Sequence, residues 1–107
     1  MLNNQIQLLR TKLQGLPLGN TIGQFLDFMT VEAGLSPNTV LAYGRDLLGF
    51  AEHCCGQKCG TLEKIQSLTV YRYLKQLSQS GQAESSISRC LVAIKMLLRF
   101  GILTGRI

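Results

Sequence analysis

Apolar residues recur at helical spacing through most of this chain, in runs separated by polar or glycine-containing breaks. Leu2, Ile6, Leu9 and Leu13 follow at intervals of four, three and four, the stripe of an amphipathic helix. "GLPLGN" at 15–20 interrupts it. The pattern predicts a short helix on a hinge, with three uses open: packing on the domain, contacting another chain, or fraying. Thr21-Ile22-Gly23-Gln24 fits a capping box, in which hydroxyl and amide side chains each satisfy a free backbone N–H. The next helix is therefore predicted to start at Thr21, with Ile22, Phe25, Leu26 and Met29 on one face and Gly34 ending it.

Ser36 supplies an N-cap oxygen and Pro37 suits a first helical position. This helix should run to about Cys54. Val40, Leu47 and Ala51 line its inner side with Leu41 and Leu48 beside them, while Asn38, Thr39, Ala42 and Arg45 lie opposite, near its start. "GQKCGTLEKIQ" at 56–66 is predicted to be a loop. A helix from Ser67 carries Val70, Tyr73, Leu74 and Leu77 inward until "SQSG" stops it. The last, from Glu84 to Leu103, puts Ile87, Cys90, Leu91, Ile94, Leu97, Leu98 and Gly101 on its apolar side, and Ser85, Ser88, Arg89, Val92, Lys95, Met96 and Arg99 opposite. No alternating strand pattern of useful length competes. The expected fold is all-α, a four-helix bundle to which the N-terminal segment can add a fifth helix. With 107 residues the chain makes one small domain at 21–107, preceded by the helix and hinge of 1–20.

Composition agrees, since 46% hydrophobic and 16% charged residues describe a globular chain. No stretch approaches the roughly 20 apolar residues of a membrane span, and the N-terminus lacks the basic start and apolar run of a secretory signal. A soluble, cytoplasmic protein with no membrane partner is expected. The formal charge of +5 favours a polyanionic partner only weakly. Its distribution says more: after Glu84 no acid follows, while Arg89, Lys95, Arg99 and Arg106 do, as in a nucleic-acid-binding segment.

"HCCGQKCG" crowds His53, Cys54, Cys55 and Cys59 together, but structural zinc sites usually show two separated ligand pairs. Small buried hydrophobes are the better reading of Cys54, Cys55 and Cys90, and neither a metal nor any other cofactor is expected. His53 has no triad around it, and Asp27, Glu32, Asp46 and Glu52 are spread along two helices as solvated surface. Neither a phosphate loop nor a dinucleotide fingerprint is present. The residues describe no active site, and no small-molecule substrate is expected.

Two helix starts are decorated alike, Ser36, Asn38 and Thr39 on one and Ser85, Ser86 and Ser88 on the other. Helix N-termini attract phosphate, and neighbouring hydroxyls add hydrogen bonds. The last helix then offers Arg89, Lys95 and Arg99. Plain capping by the serines and solvation of the cations is the competing explanation.

The segment "FLDFMTVEAGLSPNTVLAYGRDLLGFAEHC" resembles the opening of the N-terminal core-binding (SAM-like) domain of tyrosine recombinases, the Xer-type and phage-integrase proteins. Leu35-Ser36-Pro37-Asn38-Thr39 stands at the family's Leu-Ser-x-x-Thr, and Ala42 to Phe50 at its Ala-Tyr-x-x-Asp-Leu-x-x-Phe. Tyr73-Leu74, Leu77, Gly81, Ser86-Ile87, Arg89 and Leu91 match its later helices, so the resemblance covers about residues 21 to 105. It implies that the domain lies on one side of duplex DNA, clamped with a separate catalytic domain, for integration or recombination. It also implies that other recombinase protomers on the DNA are partners.

By position, Ser36, Asn38, Thr39 and Arg45 would contact DNA from one helix, and Ser85, Ser86 and Arg89 from another, with Arg89 at a base edge and Lys95 at the backbone. The family's catalytic residues, including its nucleophilic tyrosine, belong to the other domain, and Tyr43, Tyr71 and Tyr73 are not that nucleophile. Gly44 stands where the family often has a basic residue, and Ser86 where threonine is commoner. The alternative function is a helical protein-interaction domain using the Leu2/Ile6/Leu9/Leu13 stripe.

Overall fold

The breaks read in the sequence separate the helices, with Gly19 and Pro37 serving as first helical residues. The computed structural model describes residues 2–107, and among them are α1 (Leu2–Gln14), α2 (Gly19–Val31), α3 (Pro37–Gly56), a 3-10 turn (Leu62–Lys64), α4 (Ser67–Gln79) and α5 (Glu84–Leu103), with no strand. The architecture is the all-helical bundle expected, with the N-terminal segment supplying a fifth helix. No helix among the described residues is long and apolar enough to cross a membrane.

The α1 stripe is used inside the chain. Leu9 and Leu13 are buried, Leu2 and Ile6 pack half-buried on the same core, and the helix lies against α2 and α3. Two missing Cβ atoms permit that approach. One on Gly44 of α3 would overlap Leu9 Cδ2, and one on Gly19 would overlap the Leu13 carbonyl oxygen. The turn between α1 and α2 is itself packed, with Leu18 buried.

The start of α2 differs from expectation. The capping box at Thr21 does not form, and the helix begins at Gly19 with Leu18 in the N-cap position and no side-chain cap. The Leu16 N–H donates to Leu13 O and the Gly19 N–H to Leu16 O, so the turn winds directly into helix. At its other end Gly34 has φ +66°, and the Leu35 N–H returns to Met29 O at 3.0 Å, closing the left-handed stop that a glycine makes easy. Ser36 then caps α3 as expected, its Oγ accepting from the Thr39 N–H at 3.3 Å.

The core gathers Ile22, Phe25, Leu26 and Met29 of α2, Val40, Leu41, Leu47, Phe50, Ala51 and Cys54 of α3, and Cys90, Ala93, Ile94, Leu97 and Phe100 of α5. Phe100 stacks 5.4 Å from both Phe25 and Phe28, and Phe50 lies 5.5 Å from Tyr73, spacings typical of stabilising aromatic pairs. Three expectations need correction. The 56–66 segment is not only loop, since its 3-10 turn drives Leu62 into the core. Met96 is half-buried against the core rather than on the polar side. Cys55 is exposed, unlike Cys54 and Cys90. Among the described residues no polar or charged side chain is buried, which leaves the chemistry on the surface.

Candidate nucleic-acid interface

The polar residues singled out in the sequence lie on α3 and α5, which pack directly against each other. On α3, Ser36 and Asn38 are exposed, Thr39 is half-buried and Arg45 is exposed. Ser36 Oγ and Thr39 Oγ1 lie 3.0 Å apart, so one hydroxyl pair shields the first turn. On α5, Ser85 is exposed, Ser86 half-buried, and Arg89 and Lys95 exposed.

The serines of α5 are not caps. The N-cap is Ala83, with no side-chain cap, and among the described residues Ser85, Ser86 and Ser88 donate no side-chain hydrogen bond. Capping therefore explains Ser36 but not this second cluster, whose hydroxyls and first-turn amides stay available to an external acceptor.

An ion pair also links the two helices. Arg89 Nε donates to Asp46 Oδ2 at 2.8 Å and Nη2 to Oδ1 at 3.0 Å. The carboxylate lies low in the α3–α5 seam, 12% exposed against 46% for the arginine side chain. The hydrogen bond to Asp46, the largest influence, raises the Arg89 pKa above its ordinary value. Sequence reasoning assigned Asp46 to solvated surface and missed this partnership. The signal was there: Asp46 precedes the buried Leu47 and stands one turn before the buried Phe50, so it sits at the edge of the apolar face.

Helix geometry extends the seam. Thr39 stands seven residues before Asp46, two turns or about 10 Å along the same side of α3. Ser85 and Ser86 stand one turn before Arg89, about 5 to 6 Å away along α5. Arg45 and Asn38 form a neighbouring pair, also two turns apart. Lys95 is set apart from these, bordering a groove of about 300 Å³ with Ile65, Val70, Leu91, Ile94 and Leu98 on the α4 side of α5. The structure thus joins Arg89 to α3 and leaves Lys95 on another flank.

Three further titratable side chains are enclosed by packing, Tyr73, Cys54 and Cys90. Tyr73 is buried with its ring 5.2 Å from that of His53, and burial is the largest influence pushing its phenol pKa up. Burial likewise lifts the thiols of Cys54 and Cys90 to about 12, with Cys59 adding to the first and Asp46 to the second. Among the described residues no group of three or more His, Cys, Asp or Glu is placed to hold a metal.

By its family match, this small all-α bundle is a SAM-like domain. The chain belongs to the family of the phage integrase N-terminal SAM-like domain, whose model matches residues 22–105. It is 37% identical over 84 residues to the tyrosine recombinase XerD of Halalkalibacterium halodurans, covering 78% of this chain and 28% of that protein. With the tyrosine recombinase XerD of Bradyrhizobium diazoefficiens it shares 38% over 78 residues, 73% of this chain and 24% of the relative. For the tyrosine recombinase XerD of Rickettsia prowazekii the figures are 33% over 79 residues, 74% and 25%. The chain therefore spans about a quarter of the length of these curated relatives. No solved structure matches it. The match begins after α1, so the helix seated on Gly44 lies outside the family's range.

Proposed function

We propose that this chain is the DNA-binding half of a site-specific tyrosine recombinase or integrase, gripping one side of duplex DNA while a catalytic domain grips the other. The family match over 22–105 carries the reading. The uncapped serines of α5 and the exposed Arg45, Lys95 and Arg99 support it. Ser36, Asn38, Thr39, Ser85 and Ser86 serve as hydrogen-bonding contacts, Arg45 and Lys95 neutralise phosphate, and Arg89 reads a base edge. Phosphate contacts set register and base contacts select the site. Cutting and rejoining of DNA belong to the other domain, which supplies the nucleophilic tyrosine. The working complex includes further protomers on the same DNA, in the cytoplasm. The rival is a protein-interaction domain built on the α1 stripe; burial of Leu9 and Leu13 within the chain favours the DNA-binding reading over it.

Half a clamp lacks the avidity of the whole, so binding should be weak and steeply salt-dependent. An NMR titration with a short duplex at two salt concentrations tests this. Amide shifts should cluster on residues 36–45 and 85–95 and shrink as salt rises. Shifts confined to residues 2–13, or none at low salt, would overturn the proposal.

A further inference from the structure

We infer that Asp46 is a positioning residue for site selection: it holds Arg89 by the side edge of its guanidinium so that the end edge, formed by its two Nη groups, is presented to a guanine in the DNA major groove. This rests on the DNA-binding reading above and adds a residue and a ligand chemistry to it.

The pair is formed side-on. Nε and one Nη2 hydrogen are given to the two Asp46 oxygens, which occupies a single edge of the fork. Of the five N–H donors of an arginine, the remaining Nη2 hydrogen and the two on Nη1 make no hydrogen bond among the described residues. One hydrogen on each Nη forms a parallel pair, which matches the O6 and N7 acceptors of guanine. Exposure runs in the direction this requires, with the carboxylate low in the seam and the guanidinium outside it. The two helices that hold the pair pack against each other, and Leu47 and Phe50 of α3 and Cys90 and Ala93 of α5 all belong to the buried core. The arginine's rotamer freedom is thus given up on folding and not again on binding.

The carboxylate has a second effect. It offsets the arginine's charge, so Arg89 adds little to indiscriminate attraction for phosphate and acts through geometry. Asp46 and Arg89 together should favour the right sequence without tightening the grip on every sequence.

That combination separates positioning from mere support. Binding of the unmodified chain, Asp46→Asn and Arg89→Lys is measured by fluorescence anisotropy at low salt on a fixed mixed-sequence duplex. Each protein then enriches a pool of short duplexes with randomised centres, and the bound fraction is sequenced. The unmodified chain should show a guanine preference at one position. In Asp46→Asn that preference should fall at least about fivefold, the low end of what a bidentate arginine–guanine contact discriminates, while affinity for the fixed duplex holds or rises because a negative charge is gone. Arg89→Lys keeps the charge but not the fork and should lose the same preference.

A folded Asp46→Asn with its guanine preference intact overturns the inference and leaves the DNA-binding reading standing. So does an unmodified chain that binds duplex but prefers guanine nowhere. Binding to no duplex at low salt overturns both. Should Asp46→Asn not fold, the unmodified chain decides: on adding the enriched duplex, the Arg89 Nε–H resonance should hold its position while the Nη resonances move. Movement of Nε–H to a solvent-like position would show the pair broken and the inference wrong.

Discussion

A thiol buried in an apolar seam resists ionisation because the charged form loses its water. Cys54 and Cys90 are both buried and their pKa values are lifted to about 12, whereas a free thiol titrates near 8.5. As pH rises between those values the unfolded chain gives up protons that the folded one keeps. The unfolded state then binds fewer protons, so stability falls with rising pH across that window and is fully retained below it. Urea unfolding from pH 8 to 11 should show this decline, and Cys54→Ala with Cys90→Ala should make it shallower whatever the two changes do to stability at pH 8. A thiol reagent at pH 8 should label the exposed Cys55 and spare both buried cysteines. The burial of Cys90 was legible from helical periodicity, whereas Cys54 was read as buried alongside Cys55 at a helix end, and the two differ. Asp46 shows where such reading stops, since periodicity places a carboxylate at the edge of a face but does not say which cation on a distant helix will reach it.

At the scale of the helix, the starts and stops divide by how local their causes are. Ser36-Pro37 and Gly34 act through their own backbone neighbours, and the sequence announces them. The start of α2 depends instead on how α1 folds back. Thr21 and Gln24 have the residue types of a cap, yet the carbonyls of Leu13 and Leu16 capture the turn first. The two glycines of α2 should therefore respond oppositely to alanine. In Gly19→Ala the new methyl meets the Leu13 backbone, which cannot rotate away, and a loss of about 2 kcal/mol or more is expected, as for overpacked cores. Gly23 has only the end of the Arg10 side chain nearby, at 3.8 Å, so Gly23→Ala should gain roughly 0.5 to 1 kcal/mol from helix propensity. Thermal unfolding of both variants beside the parent checks the pair. The polar faces of α3 and α5 could be drawn from the sequence, but their side-by-side packing could not, because it depends on contacts between residues some forty positions apart, such as Asp46 and Arg89.

The whole molecule has a Cα radius of gyration of 13.0 Å, near the value for a packed chain of about 100 residues, so α1 does not project from it. Besides its leucines, α1 is tied down by Arg10, whose Nη2 lies 2.8 Å from Asp27 Oδ1. That exposed pair contributes little by itself; the burial of Leu9 and Leu13 is what holds the helix. Leu9→Ala should cost about 2 to 5 kcal/mol, while Leu8→Ala, at 56% exposure, should stay within about 0.5 kcal/mol. Urea unfolding followed by circular dichroism distinguishes the two, and a single transition in the parent chain is expected if α1 unfolds with the rest.

The seat of that helix has a consequence for what position 44 can carry. Space beside position 44 is taken by one methyl group of Leu9, with those of Leu26 next to it, so a side chain placed there must first displace the end of Leu9. A long side chain at 44 would press on that seat. The glycine and the leucine are thus interdependent: a bulky residue at 44 loosens the seat of α1.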